Sequence, residues 1–149
     1  MKLSPEEIGE LVPAGGWPDW VFACRWLASA HPQATRFPPL TVGANCQRFA
    51  YAVLGLFNLT VPAHRSDELW NDLMLEHPPI AAVEPLDLVL FNGTSDARGA
   101  HVAVAMPTGL LHLSAEVGRP TLWQWSDFSH RQRYRAVVGA IRVPADGAH

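Results

Sequence analysis

One cysteine in this chain lies where a helix is expected to begin. Asn45 is a residue type that caps helix N-termini, and apolar residues recur after it at helical spacing. These residues are Cys46, Phe49, Ala50, Val53, Leu54 and Phe57. A thiol in the first turn lies near unpaired N–H groups and the positive end of the helix dipole, which favour the thiolate. Cys46 is therefore a candidate nucleophile with a lowered pKa, although a cysteine on an apolar helix face commonly serves packing alone.

Two of the seven histidines lie within apolar stretches that predict β-strands. His101 falls in 100–106 and His112 in 110–114. A cysteine nucleophile needs an imidazole to accept its proton and a third polar group to orient that imidazole, so this pair could supply both. A single histidine in a strand is more often structural. If Thr108–Gly109 is a two-residue hairpin turn, the two side chains share a face but are offset by four residues, roughly 13 Å.

The second cysteine, Cys24, lies in the middle of an apolar helical pattern and is predicted to be buried packing. Two cysteines permit at most one disulfide and form no disulfide framework. Both are expected to be reduced thiols. The chemistry of the chain is therefore predicted at Cys46 rather than at Cys24.

Composition excludes several classes of protein. The 149 residues predict one domain, and 48% hydrophobic with 17% charged residues indicates a globular chain. The net charge of −3 argues against nucleic-acid binding, and Arg131, Arg133 and Arg135 form too short a basic cluster to change that.

No apolar run is long enough to span a membrane. Glu6 and Glu7 stand where a signal peptide needs an apolar core, so we expect no cleaved signal, and neither compartment nor oligomeric state is predicted.

Helical patterns come first along the chain and strand patterns follow. The predicted helices are Ser4–Leu11 with a capping box, Pro18–Ala30, Cys46–Asn58 and a short helix capped by Ser66. The predicted strands are Leu86–Phe91, Ala100–Met106, Leu110–Ser114, Thr121–Trp125 and Tyr134–Val143. Helices followed by an antiparallel meander indicate the α+β class.

Three motifs together resemble the NlpC/P60 cysteine peptidases. Asn45-Cys46 at a helix start is similar to the Asp-Cys-Ser-Gly helix start of that family. The stretch 86–91 resembles its Gly-Asp-Leu-Val-Phe-Phe strand, and His101-Val102-Ala103-Val104 followed by 111–114 resembles its His-Val-Gly-Ile hairpin with a second histidine. The motifs occur in the family's order across most of the chain.

The resemblance implies a papain-like fold, with N-terminal helices packed on a five-stranded antiparallel sheet. It implies a single catalytic domain, 1–149, with a helical lead-in at 1–41 and an NlpC/P60-like core at 42–143. Cys46 would be the nucleophile, His101 the base and His112 the orienting residue. The family mostly hydrolyses peptide or isopeptide bonds in bacterial peptidoglycan stems. No metal and no cofactor is implied, and the expected partner is a stem peptide or another small peptide.

The chain departs from the family where the substrate would be recognised. Asn45 replaces the acid before the cysteine and Gln47 replaces the serine after it. In the family these two residues help to hold a free substrate amine, to which a neutral amide offers no charge-assisted bond. The tyrosine-bearing loop upstream is shortened to 36–39, which contains Phe37. Asn45, Gln47, Phe37 and Arg48 are therefore the candidate substrate-binding residues.

Three alternatives remain open. The domain could be a binding module that kept the fold and lost turnover, with Trp123 and Trp125 lining a groove. It could be a thiol acyltransferase of the lecithin-retinol-acyltransferase-like type, which uses the same chemistry on a lipid acyl group. Cys46, His101 and His112 could instead bind zinc, although their spacing matches no short ligand motif.

Overall fold

The computed structural model describes residues 3–145. The helices are α1 (Pro5–Ile8), α2 (Trp20–Ala23), α3 (Cys46–Gly55), α4 (Ser66–Trp70) and α5 (Trp125–Ser129). The strands are β1 (Arg25–Trp26), β2 (Gly43–Ala44), β3 (Leu88–Asn92), β4 (His101–Met106), β5 (Gly109–Leu113), β6 (Pro120–Trp123) and β7 (Ala136–Ile141). Strands β3 to β7 form one antiparallel sheet in the order β6-β5-β4-β3-β7. The predicted α+β class with a five-stranded antiparallel sheet is confirmed.

The helix α3 begins where the sequence predicts it. The side-chain oxygen of Asn45 accepts a hydrogen bond from the Arg48 amide at 2.9 Å, which satisfies one of the unpaired donors of the first turn. The helix ends at Gly55, three residues earlier than predicted. Asn58 adopts a left-handed conformation (φ 62°), which asparagine tolerates better than most residues, and the chain turns there.

The sheet is covered on both faces. One face packs against α3, and the residues that share this core include Phe49, Val53, Leu54, Leu90, Val102, Val104 and Leu111. The other face forms a smaller core that contains Val89, Phe91, Ala103, Ala105, Trp123, Phe128 and Tyr134. Every residue of β4 is therefore buried. A strand buried on both faces shows no polar alternation, which explains its nearly continuous apolar sequence.

The hairpin between β4 and β5 differs from the predicted one. Met106 pairs with Gly109, so the two turn residues are Pro107 and Thr108 rather than Thr108 and Gly109. Moving the turn by one residue shifts the register by two residues and keeps both histidines on the same face. The predicted offset of four residues between His101 and His112 was wrong because the turn was misplaced. In the observed register His101 and His112 are offset by two residues along the strands instead of four.

The N-terminal segment is less helical than predicted. The helix expected over 18–30 ends at Ala23, and Arg25–Trp26 instead forms β1, which pairs in parallel with β2. The Leu27 amide bonds the Ala44 carbonyl at 2.9 Å, so the pairing continues past β1. Val21 and Cys24 of this segment are buried, whereas Leu27 is exposed. Backbone pairing with β2 takes the place of the helical hydrogen bonds that the sequence pattern predicts after Cys24.

Three smaller predictions about element ends were also wrong. The first helix stops at Ile8, and Ser4 provides no side-chain cap. Ser66 is the first residue of α4 rather than its cap, because its hydroxyl accepts a hydrogen bond from the Ala100 amide at 3.1 Å. Trp125 begins α5 instead of ending a strand. For Ser66, a contact made elsewhere in the fold takes the hydroxyl that the sequence predicts as a helix cap.

Within the part of the chain that the structure describes, no helix is long and apolar enough to cross a membrane. The predicted single domain, with its lead-in at 1–41 and core at 42–143, stays a prediction. Residues 1–2 and 146–149 of that predicted domain lie outside the described residues.

Candidate active site

The start of α3 and the start of β4 contribute to one small cavity of about 200 Å³. Cys46 and His101 both line it, and we call it the cysteine cavity. Its other walls include Trp26 of β1, together with Arg133 and Tyr134 before β7. The fold therefore brings the predicted nucleophile and the predicted base to the same space, although 54 residues separate them in the chain.

The two predicted histidines are in direct contact. The Nε2 atom of His101 lies 2.9 Å from the Nδ1 atom of His112, a hydrogen-bonding distance. This contact uses one ring nitrogen of His101 and leaves Nδ1 as the nitrogen available to the cavity. His112 is completely buried, whereas His101 keeps 8% of its surface exposed. The geometry is that of an imidazole held in place by a second imidazole behind it.

The surroundings keep both imidazoles neutral. Burial, with a smaller contribution from the positive charge of Arg133, lowers the pKa of His101 to about 3. Burial also lowers the pKa of His112 well below its ordinary value, with additional contributions from His101 and Arg131. Two imidazoles in contact cannot both carry a charge without strong repulsion. At neutral pH the pair therefore holds two uncharged rings.

The thiol of Cys46 does not have the lowered pKa that its helix position predicts. Burial raises the pKa of the thiol above its ordinary value. Hydrogen bonds from the amides of Val102, Gln47 and Cys46 itself lower the pKa, as does the charge of Arg65, but they do not offset the desolvation. The resting site thus contains a thiol beside a neutral imidazole instead of a thiolate–imidazolium pair.

Alkylation by iodoacetamide is expected to distinguish the two cysteines. Cys46 is partly exposed, whereas Cys24 is completely buried and burial raises its pKa to about 11. We expect Cys46 to react first, at a rate that still rises between pH 7 and 9 because its thiol is not yet ionised. Peptide mass spectrometry across this pH range measures both sites. Faster labelling of Cys24, or a Cys46 rate that has levelled off at pH 6, would contradict this assignment.

The structure does not bring the four predicted substrate-binding residues into the cysteine cavity. Asn45 and Gln47 are buried, and the Asn45 amide donates to the Gln47 side-chain oxygen at 3.2 Å. Phe37 is 47% exposed, and the Arg48 guanidinium lies 4.0 Å from its ring centroid. Arg48 also donates to the Gly43 carbonyl at 2.9 Å. The four residues therefore contact one another in two pairs, Asn45 with Gln47 and Phe37 with Arg48. Substrate binding by these residues stays a prediction.

The sequence points to Trp123 only as a candidate groove residue and does not predict the aromatic enclosure of the histidine pair. The rings of Trp123 and Phe128 lie 4.4 and 4.8 Å from the His112 ring, and that of Tyr134 lies 4.9 Å from the His101 ring. The Nε2 atom of His112 is buried and has no hydrogen-bond partner within the described chain. The predicted strand over 121–125 contained the signal, since Trp123 faces inward on the strand next to His112.

No group of three or more His, Cys, Asp or Glu side chains suited to hold a metal ion occurs within residues 3–145. The zinc alternative for Cys46, His101 and His112 therefore receives no support.

The fold and the site together define an α+β protein in which a cysteine-bearing helix packs on a histidine-bearing antiparallel sheet. Among solved structures, the chain is similar to an NlpC/P60 family protein from Bacillus cereus ATCC 10987, with a TM-score of 0.51 and 15% sequence identity. The similarity covers 68% of this chain and 32% of that one, so the present chain spans about a third of that protein. The sequence itself matches no family model and no curated protein. The likeness establishes the fold and carries no statement about activity.

Proposed function

We propose that the protein is a cysteine peptidase or amidase that hydrolyses peptide or isopeptide bonds, with bacterial peptidoglycan stems as the first substrates to test. The supporting observation is that Cys46 and His101 line one cavity while His101 Nε2 lies 2.9 Å from His112 Nδ1. Covalent acyl transfer requires a nucleophile, a base near it and a group that orients the base, and Cys46, His101 and His112 would fill these three roles. The fold shared with an NlpC/P60 protein agrees with this chemistry.

Proton transfer in the first step follows from the neutral resting state. The His101 Nδ1 atom accepts the thiol proton as Sγ attacks the carbonyl carbon, so the ion pair forms only during the reaction. The imidazolium then donates that proton to the leaving amine, and a thioester remains on Cys46. Water, deprotonated by the same imidazole, hydrolyses the thioester and regenerates the thiol.

The base can act only in one tautomer of the histidine pair. His101 must carry its proton on Nε2 and donate it to His112 Nδ1, since Nδ1 of His101 has to be free to accept the thiol proton. His112 then carries its own proton on Nε2, the buried atom that lacks a hydrogen-bond partner. The rings of Trp123 and Phe128, whose centroids lie 4.4 and 4.8 Å from that of His112, are the aromatic groups near enough to accept this N–H weakly through their π-systems. The aromatic enclosure is thus compatible with the catalytic tautomer.

Mass spectrometry of products tests the proposal directly. Purified muropeptides and simple blocked acyl-peptides are incubated with the protein in water enriched in oxygen-18. We expect one new carboxyl group per cleavage, carrying the heavy isotope, because water resolves the thioester. Acyl transfer to an added amine or lipid without hydrolysis would favour the acyltransferase alternative. Absence of any product across the panel, with binding retained, would favour the binding module.

A further inference from the structure

An ion pair at the protein surface is connected to the histidine pair through one tryptophan. The Arg131 Nη1 atom lies 2.9 Å from the Glu116 Oε2 atom, and the Arg131 guanidinium carbon lies 4.2 Å from the centroid of the Trp123 ring. The Trp123 ring in turn lies 4.4 Å from the His112 ring, which contacts His101. We call Glu116, Arg131 and Trp123 the arginine stack. The stack connects the surface to the imidazole that would orient the proposed base.

Three segments of the chain place the members of the arginine stack. Glu116 lies between β5 and β6, Trp123 is the last residue of β6, and Arg131 follows α5. The Arg131 amide donates to the Phe128 carbonyl at 3.0 Å, and the Arg131 carbonyl accepts from the Tyr134 amide at 3.0 Å, so its backbone is fixed on both sides. The Arg131 side chain is 45% exposed, whereas Trp123 is buried. The guanidinium is therefore the outer layer over a buried indole.

The position of Arg131 does not indicate contact with a substrate. Arg131 is not among the residues that line the cysteine cavity, whereas Arg133, two residues further along the chain, does line it. A guanidinium that pairs with a carboxylate and also lies over an aromatic ring holds that ring in place through both charge and cation–π attraction. The geometry therefore assigns Arg131 to Trp123 rather than to the cavity.

The dry surroundings of His112 select its tautomer. His112 is completely buried, and its Nε2 atom has no hydrogen-bond partner within the described chain. The nearby rings of Trp123 and Phe128 can accept an N–H weakly, but their electron-rich faces offer nothing to a nitrogen lone pair. A water molecule at Nε2 would satisfy either form, because water both donates and accepts. Exclusion of water therefore favours the Nε2–H form, which leaves Nδ1 of His101 free to accept the thiol proton.

We propose that Arg131 is a positioning residue for the proposed base. Anchored by Glu116, Arg131 holds the Trp123 indole against His112, keeps water away from His112 Nε2 and so maintains the tautomer in which His101 can act. Arg131 works through Trp123 and does not contact the reacting groups. The inference rests on the proposed function, since it treats His101 as the base.

Nitrogen-15 NMR of the imidazoles tests this role without depending on turnover. Histidine-labelled protein at pH 7 reports the tautomer of each ring, and the His101→Ala and His112→Ala variants assign the signals. In the wild-type protein we expect His112 in the Nε2–H form alone. In Arg131→Gln we expect a mixture of the two neutral tautomers, because water then reaches the ring.

The kinetics of hydrolysis give a second readout, with the peptide that is cleaved fastest in the product screen. Arg131→Gln should lower kcat roughly threefold or more and leave KM within a factor of about two, because fewer molecules hold the active tautomer. Arg131→Lys keeps a cation that can pair with Glu116 and lie over Trp123, so it should retain most of kcat.

The matched control for loss of a positive charge is Arg119→Gln. Arg119 is exposed, forms no ion pair within residues 3–145 and lines a separate groove together with Arg25. Its replacement should leave both the His112 tautomer and kcat as in wild type. Thermal unfolding of each variant is measured alongside, and the exposure of both arginine side chains predicts that all of them fold.

Each outcome decides the question. An unchanged His112 tautomer in Arg131→Gln, the same change in Arg119→Gln, or a wild-type His112 protonated on Nδ1 would overturn the positioning role. A loss confined to KM would overturn it as well, because Arg131 would then act on substrate binding. A mixed tautomer in Arg131→Gln with no hydrolysis by the wild-type protein would refute the proposed function alone. Wild-type hydrolysis with an unaltered tautomer in Arg131→Gln would refute the positioning role alone.

Discussion

Replacement of Cys46 with alanine is expected to lower the rate of peptide hydrolysis by roughly 10⁴-fold or more, since loss of a triad nucleophile leaves only binding and electrostatic effects. The thermal unfolding temperature should change little, because Cys46 is partly exposed and the Asn45 cap of α3 remains. Single-turnover assays with the best peptide from the product screen measure this effect. The thioester intermediate should also disappear from intact-protein mass spectra.

The matched control is Cys24→Ala. Cys24 is completely buried and does not line the cysteine cavity, so its loss should reduce stability while leaving kcat/KM close to wild type. Unchanged hydrolysis by the Cys46 variant would show that another group performs the reaction. Equal losses in both variants would indicate that folding, rather than the nucleophile, limits activity.

The histidine pair is expected to act as one unit. His101→Ala should lower kcat/KM by about 10²–10⁴-fold, the usual contribution of a general base. The variant with both His101 and His112 replaced by alanine should be only slightly worse than His101→Ala, because His112 acts through the base. His130→Ala, at an exposed histidine after α5, is the control and should keep full activity. Multiplying losses from the two substitutions would show that His112 has an independent function.

The pH dependence of the wild-type rate provides a second readout for the same pair. A base must be unprotonated to act, and the lowered pKa of His101, about 3, keeps its ring unprotonated throughout the neutral and mildly acidic range. The value of kcat/KM should therefore stay level from pH 7 to pH 5, with its acid limb far below the ordinary histidine pKa of about 6.5. An acid limb near 6.5 would show that the imidazole is hydrated and chargeable in the working enzyme.

The sequence predicted the elements that carry long periodic patterns. The α3 helix and the strands around His101 and His112 were found because apolar spacing and an Asn45 cap are local signals. The hairpin register was missed because it depends on which two of three residues, 107 to 109, form the turn. Local sequence does not distinguish those choices when both keep the same residues buried.

The electrostatics of the site could not be predicted from position in the chain. A helix start favours a thiolate, yet desolvation by the segments packed around Cys46 raises the pKa of its thiol instead. Desolvation depends on what packs over a group, and those segments come from distant parts of the sequence. The sequence likewise provides no sign that Arg25 and Arg119 line one groove, since 93 residues lie between them in the chain.

The division of the candidate site between α3 and the β4–β5 hairpin affects the order in which it is assembled during synthesis. A ribosome releases Cys46 well before His112, and at about 5–20 residues per second the interval is roughly 3 to 13 seconds. During that time the nascent chain can pair β1 with β2 and start α3, but the thiol has no imidazole beside it. Strand β7, which forms one edge of the sheet, emerges after the other four strands of that sheet. The growing polypeptide therefore carries an unassisted thiol while the residues between Cys46 and His112 are added, and it becomes competent for acyl transfer only once the strands that carry the histidines have formed.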